Sequence, residues 1–380
     1  MKVVFFTTSA SYNGGAILCL LPMIEELKKV GVEPYVVLKA HGTTEDKLRQ
    51  HNIPYTIIKS YDWLIVGKDN VALPDKIKWL GKRLMNCFAE IKMRKFLKQI
   101  KPDILHFNSV YAYCGARSAK KLGIPVVWHI REFVQTNEFN AKYLDKKLFA
   151  KIMSEGDRYI AVSEAIYKEF SKFLPKNKFD VVYDGVQVDN TDVKAKTPSN
   201  PFVISMLGTV FNLKGHIDGI KAVKILKDRG IECVLNIYGK KINKNYYSEL
   251  VEYIRNNSIS ENVNFIDFTE NIAEVYGSSD AILVASRSEA FGRVAAEAMQ
   301  SLRLVIGADN TGTSELIDNE KYGLLYETGN PNMLADKIEY AINNDMTDTV
   351  AMARQNAVEK YSVAENARGV LSVFEKVSEK

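Results

Sequence analysis

The sequence predicts an α/β protein built from two doubly wound, Rossmann-like parallel sheets, and three observations carry that expectation. Strand-like apolar runs alternate with helix-like runs along the chain, as in parallel sheets covered by helices on both faces. At 380 residues the chain is too long for one ordinary core, so two domains are expected. The alternation lapses at 187–201, Gln-Val-Asp-Asn-Thr-Asp-Val-Lys-Ala-Lys-Thr-Pro-Ser-Asn-Pro, which reads as an interdomain linker.

The first domain, 1–186, shows strand patterns at 2–7, 34–39, 54–58, 103–108, 125–130, 158–163 and 180–183. Between the first two, Ala16 to Lys29 places Leu20, Leu21, Ile24 and Leu27 at helical spacing and stops at Gly31. The second domain, 202–362, opens on the strand Phe202-Val203-Ile204-Ser205-Met206-Leu207 and continues with strands at 233–238, 263–266, 281–285, 304–307 and 324–326. A last helical stretch covers about 348–378.

Composition narrows the class. Hydrophobic content of 46% and charged content of 26% are globular values. No apolar run approaches the roughly 20 residues of a transmembrane helix. The start, Met1-Lys2-Val3-Val4-Phe5-Phe6, alternates as a strand rather than as a signal peptide, so the expected location is the cytoplasm. The four cysteines, 19, 87, 114 and 233, lack the close spacing of a zinc site or disulfide framework.

The net charge of +5 conceals an asymmetry, because residues 1–190 hold 30 Lys/Arg against 20 Asp/Glu and the remainder 21 against 26. Much of the excess lies in 75–101, where basic residues interleave with Ile77, Leu80, Leu84, Phe88 and Ile91. That pattern fits a solvated helix face or a patch resting on anionic lipid at the inner face of a membrane. Nucleic acid is not expected as a partner, since no helix-turn-helix, RRM-like or zinc-finger pattern accompanies the charge.

The chemistry concentrates in Ser288-Glu289-Ala290-Phe291-Gly292-Arg293-Val294-Ala295-Ala296-Glu297. The preceding run 281–286 is strand-like and 294–301 is rich in helix formers, so Phe291-Gly292 marks a strand-to-helix turn. Two residues eight apart on one helix would point about 80° apart and sit about 12 Å apart. Glu289 and Glu297 therefore cannot share a proton or a metal, but can contact two separated hydroxyl-bearing groups. Between them lies a helix N-terminus, whose free N–H groups and positive dipole end favour a diphosphate.

This constellation resembles the Glu-x7-Glu signature of the family 4 retaining glycosyltransferases, which have the GT-B fold of two such domains facing across a cleft. Further landmarks match. Gly208-Thr209-Val210-Phe211-Asn212-Leu213-Lys214-Gly215 keeps the spacing of the family's Gly-Arg-x4-Lys-Gly run, with Thr209 in place of the Arg. Gly14-Gly15 follows the first strand, His129 ends a first-domain strand, and Gly312-Thr313-Ser314-Glu315 and Tyr322-Gly323-Leu324 stand where later landmarks fall. The resemblance spans Gly14 to about Ala335.

It implies a metal-independent retaining transferase that needs no cofactor. Its co-substrate would be a nucleotide diphosphate sugar, UDP favoured over GDP, and its acceptor a hydroxyl of a lipid-linked or polysaccharide intermediate. Donor contacts are then expected from Gly14, Gly15, Thr209, Lys214, Gly239, Phe268, Glu289, Phe291, Gly292, Arg293, Val294 and Glu297. Glu297 would hold the ribose and Glu289 the transferred sugar, while Lys214 offsets leaving-group charge. Arg293 is a candidate replacement for the Arg missing at Thr209, or else a salt-bridge partner. His129 reads either as a sugar contact or as a core histidine, and Arg131 and Glu132 either as the acceptor side or as an ion pair. By the same resemblance, 363–380 packs on the first domain. Two other readings stay open: a non-catalytic nucleotide-sugar-binding partner in polysaccharide assembly, and a GT-B-like epimerase or phosphorylase.

Overall fold

The computed structural model describes residues 1–12, 14–62, 73–134, 146–188 and 196–379. The chain divides into two compact units, Met1–Gly185 with Val363–Lys380, and Val186–Ser362. Of the stretch 187–201, residues 189–195 lie outside the described residues.

In chain order the first unit runs β1 Lys2–Thr7, α1 Gly15–Lys29, β2 Glu33–Leu38, α2 Thr44–Gln50, β3 Tyr55–Ile57, α3 Leu73–Ile100, β4 Ile104–Phe107, α4 Ala116–Lys121, β5 Val126–Ile130, α5 Lys146–Met153, β6 Arg158–Ala161, α6 Glu164–Phe170 and β7 Phe179–Val181. Its seven strands pair in parallel in the order β3-β2-β1-β4-β5-β6-β7. Val3, Val4, Phe5 and Phe6 of β1 are all buried, the continuous apolar run of a strand covered on both faces. Ile17, Leu20, Ile24 and Leu27 of α1 pack onto that sheet, and the helix stops where Gly31 takes a positive φ of 85°.

The second unit follows as β8 Phe202–Leu207, α7 His216–Asp228, β9 Cys233–Tyr238, α8 Lys244–Asn256, β10 Val263–Ile266, α9 Ile272–Ser278, β11 Ala281–Val284, α10 Arg293–Gln300, β12 Leu304–Ala308, α11 Thr311–Ile317, β13 Leu324–Tyr326, α12 Pro331–Asn343 and α13 Thr347–Lys360. Its six strands are parallel in the order β10-β9-β8-β11-β12-β13. Both sheets share the doubly wound order, with a reversal between β1 and β4 and again between β8 and β11. Ligands of such sheets bind outside the carboxyl ends of strands at that reversal.

The helical stretch expected over 348–378 is interrupted. α13 packs on α10 in the second unit, whereas α14, Val363–Ser378, belongs to the first unit and lies along α1. The break falls at Tyr361, whose carbonyl accepts the Val186 N–H at 2.8 Å and so is spent outside the helix. α14 contributes Val370, Val373, Phe374 and Val377 to the first core. Asn366 donates to the Tyr183 carbonyl, and Lys376 pairs with Asp180 at 2.6 Å.

Candidate active site

In the second unit the chain leaves β8 through Gly208 and Thr209, makes one short turn at Asn212–Lys214, and enters α7 after Gly215. Gly215 has a φ of +65°, and a Cβ there would lie 2.0 Å from the Ala285 carbonyl oxygen. Only glycine fits that approach, so the turn lies directly on the end of β11. The Arg287 N–H donates to the Leu213 carbonyl at 2.8 Å and ties the two loops together.

That tie brings Lys214 Nζ to 2.6 Å from Glu289 Oε1, which also accepts from Ser286 Oγ at 2.6 Å. Burial pushes the Glu289 carboxyl up, but the Lys214 ammonium and the hydrogen bonds from Lys214 and Ser286 outweigh it and hold the group below its usual range. The backbone of Glu289 is also held, its N–H donating to Thr311 Oγ1 and its carbonyl accepting from Gly312 N–H.

Beneath this pair lies a second one that sequence reasoning missed. The Arg287 guanidinium meets Asp218 of α7 through two bonds, 2.6 and 2.8 Å. Asp218 is buried and also accepts from Tyr326 Oη and the Gly329 N–H. The partners lie 69 residues apart, so no local pattern announces them. His216, also missed, is buried beside Lys214; burial and then the lysine charge lower its pKa to about 4, which keeps the ring neutral.

α10 begins after Gly292, which has no side chain with which to cap the helix. Phe291 is buried with its ring edge-on to Tyr361, so what it can offer a ligand is backbone. Val294 is half-buried in the first turn. Arg293 Nη2 stands 2.6 Å from Glu297 Oε1, an i,i+4 ion pair, and Tyr276 Oη donates to Glu297 Oε2 at 2.8 Å. Both carboxylates of the Glu-x7-Glu pattern are therefore partnered by cations, Glu289 by Lys214 and Glu297 by Arg293.

Nearby, Val210 N–H donates to the Lys240 carbonyl. A Cβ on Gly239 would fall 1.9 Å from the Gly208 carbonyl oxygen, so this close approach of two loops excludes a side chain. Thr209 sits half-buried between them. Phe268 is exposed, with Lys240 Nζ 5.6 Å above its ring.

In the first unit, Gly14 and Gly15 open α1, and a Cβ on either would meet nothing within 4 Å. His129 in β5 is fully buried, with Nδ1 3.3 Å from both His106 Nε2 and Arg131 Nη2. Its burial is that of a core histidine. Burial, then the Arg131 charge and the neighbouring His106, hold His129 well below its ordinary pKa, and burial with Arg131 lowers His106 to about 3. Arg131 is buried, donates to Asn108 Oδ1 and forms a very short ion pair with Asp184. His106, Asn108 and Asp184 were not singled out from sequence. Glu132 accepts from the Val110 N–H and a Ser109 hydrogen bond, and burial raises its pKa to about 7 against these bonds. Among the described residues no group of three His, Cys, Asp or Glu side chains could hold a metal ion.

Two parallel doubly wound units, with a lysine and two carboxylates at the switch point of the second, define a glycosyltransferase of the GT-B type. Residues 13–190 match the family model for glycosyltransferase family 4, and 187–360 that for glycosyl transferases group 1. Together they cover most of the chain, which belongs to the family 4 glycosyltransferases. It is 26% identical to the uncharacterized glycosyltransferase MJ1178 of Methanocaldococcus jannaschii over 100% of this chain and 99% of that one. It is also 26% identical to a poly(ribitol-phosphate) alpha-N-acetylglucosaminyltransferase of Staphylococcus aureus, over 68% of this chain and 51% of that protein. Among solved structures, Anabaena HepE in complex with UDP superposes with a TM-score of 0.78 at 20% identity, covering 99% of this chain and all of that one. Other relatives are a capsular polysaccharide biosynthesis glycosyltransferase of Staphylococcus aureus and a Campylobacter jejuni N-acetylgalactosaminyltransferase named for a diphospho-undecaprenol-linked saccharide.

Proposed function

We propose that this chain transfers a sugar, with retention of anomeric configuration and without a metal, from a nucleotide diphosphate sugar to a hydroxyl of a lipid-linked or polysaccharide acceptor. The observation that carries the reading is the Lys214–Glu289 pair at 2.6 Å, set at the switch point where such sheets bind ligands. In this reading the donor diphosphate draws Lys214 away from Glu289 and lies against the uncapped start of α10. Glu289 then accepts hydroxyls of the sugar, and Glu297 those of the ribose. Arg293 turns from Glu297 toward phosphate, in place of the Arg absent at Thr209. The open space at Gly14 and Gly15 leaves backbone free to approach a ligand.

The acceptor hydroxyl attacks the anomeric carbon on the face the phosphate leaves. As the new C–O bond forms and the old one breaks, the acceptor proton passes to a departing phosphate oxygen. Lys214 and the helix-end N–H groups offset the phosphate charge. Arg131 and Glu132 are assigned to the acceptor side, with the fully buried His129 supporting Arg131 from the core.

UDP is the favoured nucleotide, supported by the neighbour HepE, whose structures carry UDP and UDP-glucose. The acceptor class draws support from relatives named for poly(ribitol-phosphate) and for a diphospho-undecaprenol-linked saccharide. We further propose that the protein works at the inner face of a membrane.

A thermal-shift screen of UDP, GDP, ADP and CMP tests the donor. A ligand at 100 times its Kd stabilises by about 2.7 kcal/mol, so UDP should give the largest shift. No shift with any nucleotide overturns the reading. NMR of the product anomer, and activity retained in EDTA, then test retention and metal independence.

A further inference from the structure

We infer that the overhanging half of α3 is a docking surface for an anionic lipid bilayer. α3 has two apolar faces on opposite sides. Its buried residues, Asn86, Ala89, Met93 and Leu97, all lie from the middle of the helix onward and pack on the first unit. Leu73, Ile77, Leu80, Leu84, Phe88 and Ile91 are instead each 55–70% exposed. At about 100° per residue these six fall within an arc of about 80°, roughly opposite the packed face, and form a stripe about 27 Å long. A contiguous exposed apolar stripe of this kind marks an interaction surface.

Charge identifies the occupant. The helix carries eight Lys/Arg against Asp75 and Glu90, and Glu90 is turned inward, accepting from the Gly115 and Ser118 N–H groups. Lys76, Arg83 and Arg94 run along one edge of the stripe, and Lys78 and Lys92 along the other. Apolar side chains flanked by long cationic ones suit the boundary between headgroups and acyl chains, where the stripe is buried and the ammonium and guanidinium groups reach phosphate. A second copy of this chain would bring like charge against like charge along both edges.

The placement also relates the surface to the proposed reaction. The end of α3 precedes β4, so its beginning lies toward the carboxyl ends of the strands. Asn86 holds the backbone of Tyr61 and the hydroxyl of Tyr113, which lie in the loops after β3 and β4. Docking would put the carboxyl end of the first sheet, with Arg131 and Glu132, beside the bilayer that carries a lipid-linked acceptor. This last step rests on the proposed function; the docking does not.

The test is co-sedimentation of the whole protein with phosphatidylcholine vesicles and with phosphatidylcholine/phosphatidylglycerol vesicles. The wild type should bind the anionic vesicles, bind neutral ones weakly, and lose affinity in high salt. Leu84→Glu/Phe88→Glu alters only exposed side chains, and should lower binding at least about tenfold with unchanged circular dichroism and UDP thermal shift. The inference is overturned by a wild type that ignores anionic vesicles, or by a variant that binds as well as wild type. It is also overturned if light scattering finds a dimer that the variant abolishes, since the stripe would then face a second copy. Vesicle binding without any nucleotide shift would remove the transfer reading and leave the docking surface standing.

Discussion

Lys214 Nζ and Glu289 Oε1, 75 residues apart in sequence, stand 2.6 Å apart. The pair joins the two groups that the proposed reaction needs most, and in this half-buried site it holds the Glu289 carboxyl below its usual range. Removing the lysine as Lys214→Met leaves a carboxylate with only Ser286 to hold it. Glu289 is depressed below its usual range in the folded chain, so its contribution is present above the ordinary carboxylate pKa and lost as pH falls through the folded value. The variant should be about 1–2 kcal/mol less stable than wild type at pH 7. That gap should narrow below about pH 4.5. Urea denaturation at the two pH values measures it.

Arg293 and Glu297 separate a structural role from a ligand role. Arg293→Ala leaves the buried Glu297 with Tyr276 alone, and should cost about 1–3 kcal/mol in stability. It should also raise the UDP dissociation constant at least about tenfold, through loss of a charge-assisted phosphate contact. Adding Glu297→Gln should restore much of the stability and none of the affinity. Calorimetry showing unchanged UDP affinity in Arg293→Ala would remove the phosphate role and leave the ion pair.

Asp218 gathers Arg287, Tyr326 and the Gly329 backbone around one carboxylate. Asp218→Ala leaves a guanidinium, a hydroxyl and an N–H without their acceptor. The expected loss is about 3 kcal/mol in chemical denaturation, larger than for Asp218→Asn, which keeps an acceptor oxygen.

Glu132 gives a pH dependence of the opposite sign to Glu289. Burial raises its folded pKa to about 7, so the folded chain keeps a proton that the unfolded chain has lost. Its effect on stability is nil below the ordinary carboxylate pKa, turns unfavourable as pH rises toward 7, and is constant above. Glu132→Gln should therefore match wild type near pH 4 and exceed it in melting temperature at pH 8. Equal melting temperatures at pH 8 would contradict the assignment.

The strands were legible because each is a short, nearly continuous apolar run between turn residues. Phe202–Leu207, Cys233–Tyr238, Val263–Ile266 and Leu324–Tyr326 have the bounds that the sequence suggests, since each apolar-rich run is closed on both sides by polar or turn residues. The break at Tyr361 was not legible, because the helical pattern runs through it and the cause is a hydrogen bond to Val186, far away in sequence.

What the sequence determined by itself is local: two alternating α/β halves, a strand-to-helix turn at Phe291-Gly292, a lysine before Gly215, and a basic helix interleaved with apolar residues. Periodicity and turn chemistry act over a few residues, and those can be read directly. Only the tertiary structure decided which charges meet. Lys214 found Glu289, Arg287 found Asp218, Arg131 found Asp184, and one apolar face of α3 found a core while the other found none. Such pairings follow from where parallel strands end and how closely loops can approach at Gly215 and Gly239, and the distances involved have no counterpart in linear spacing.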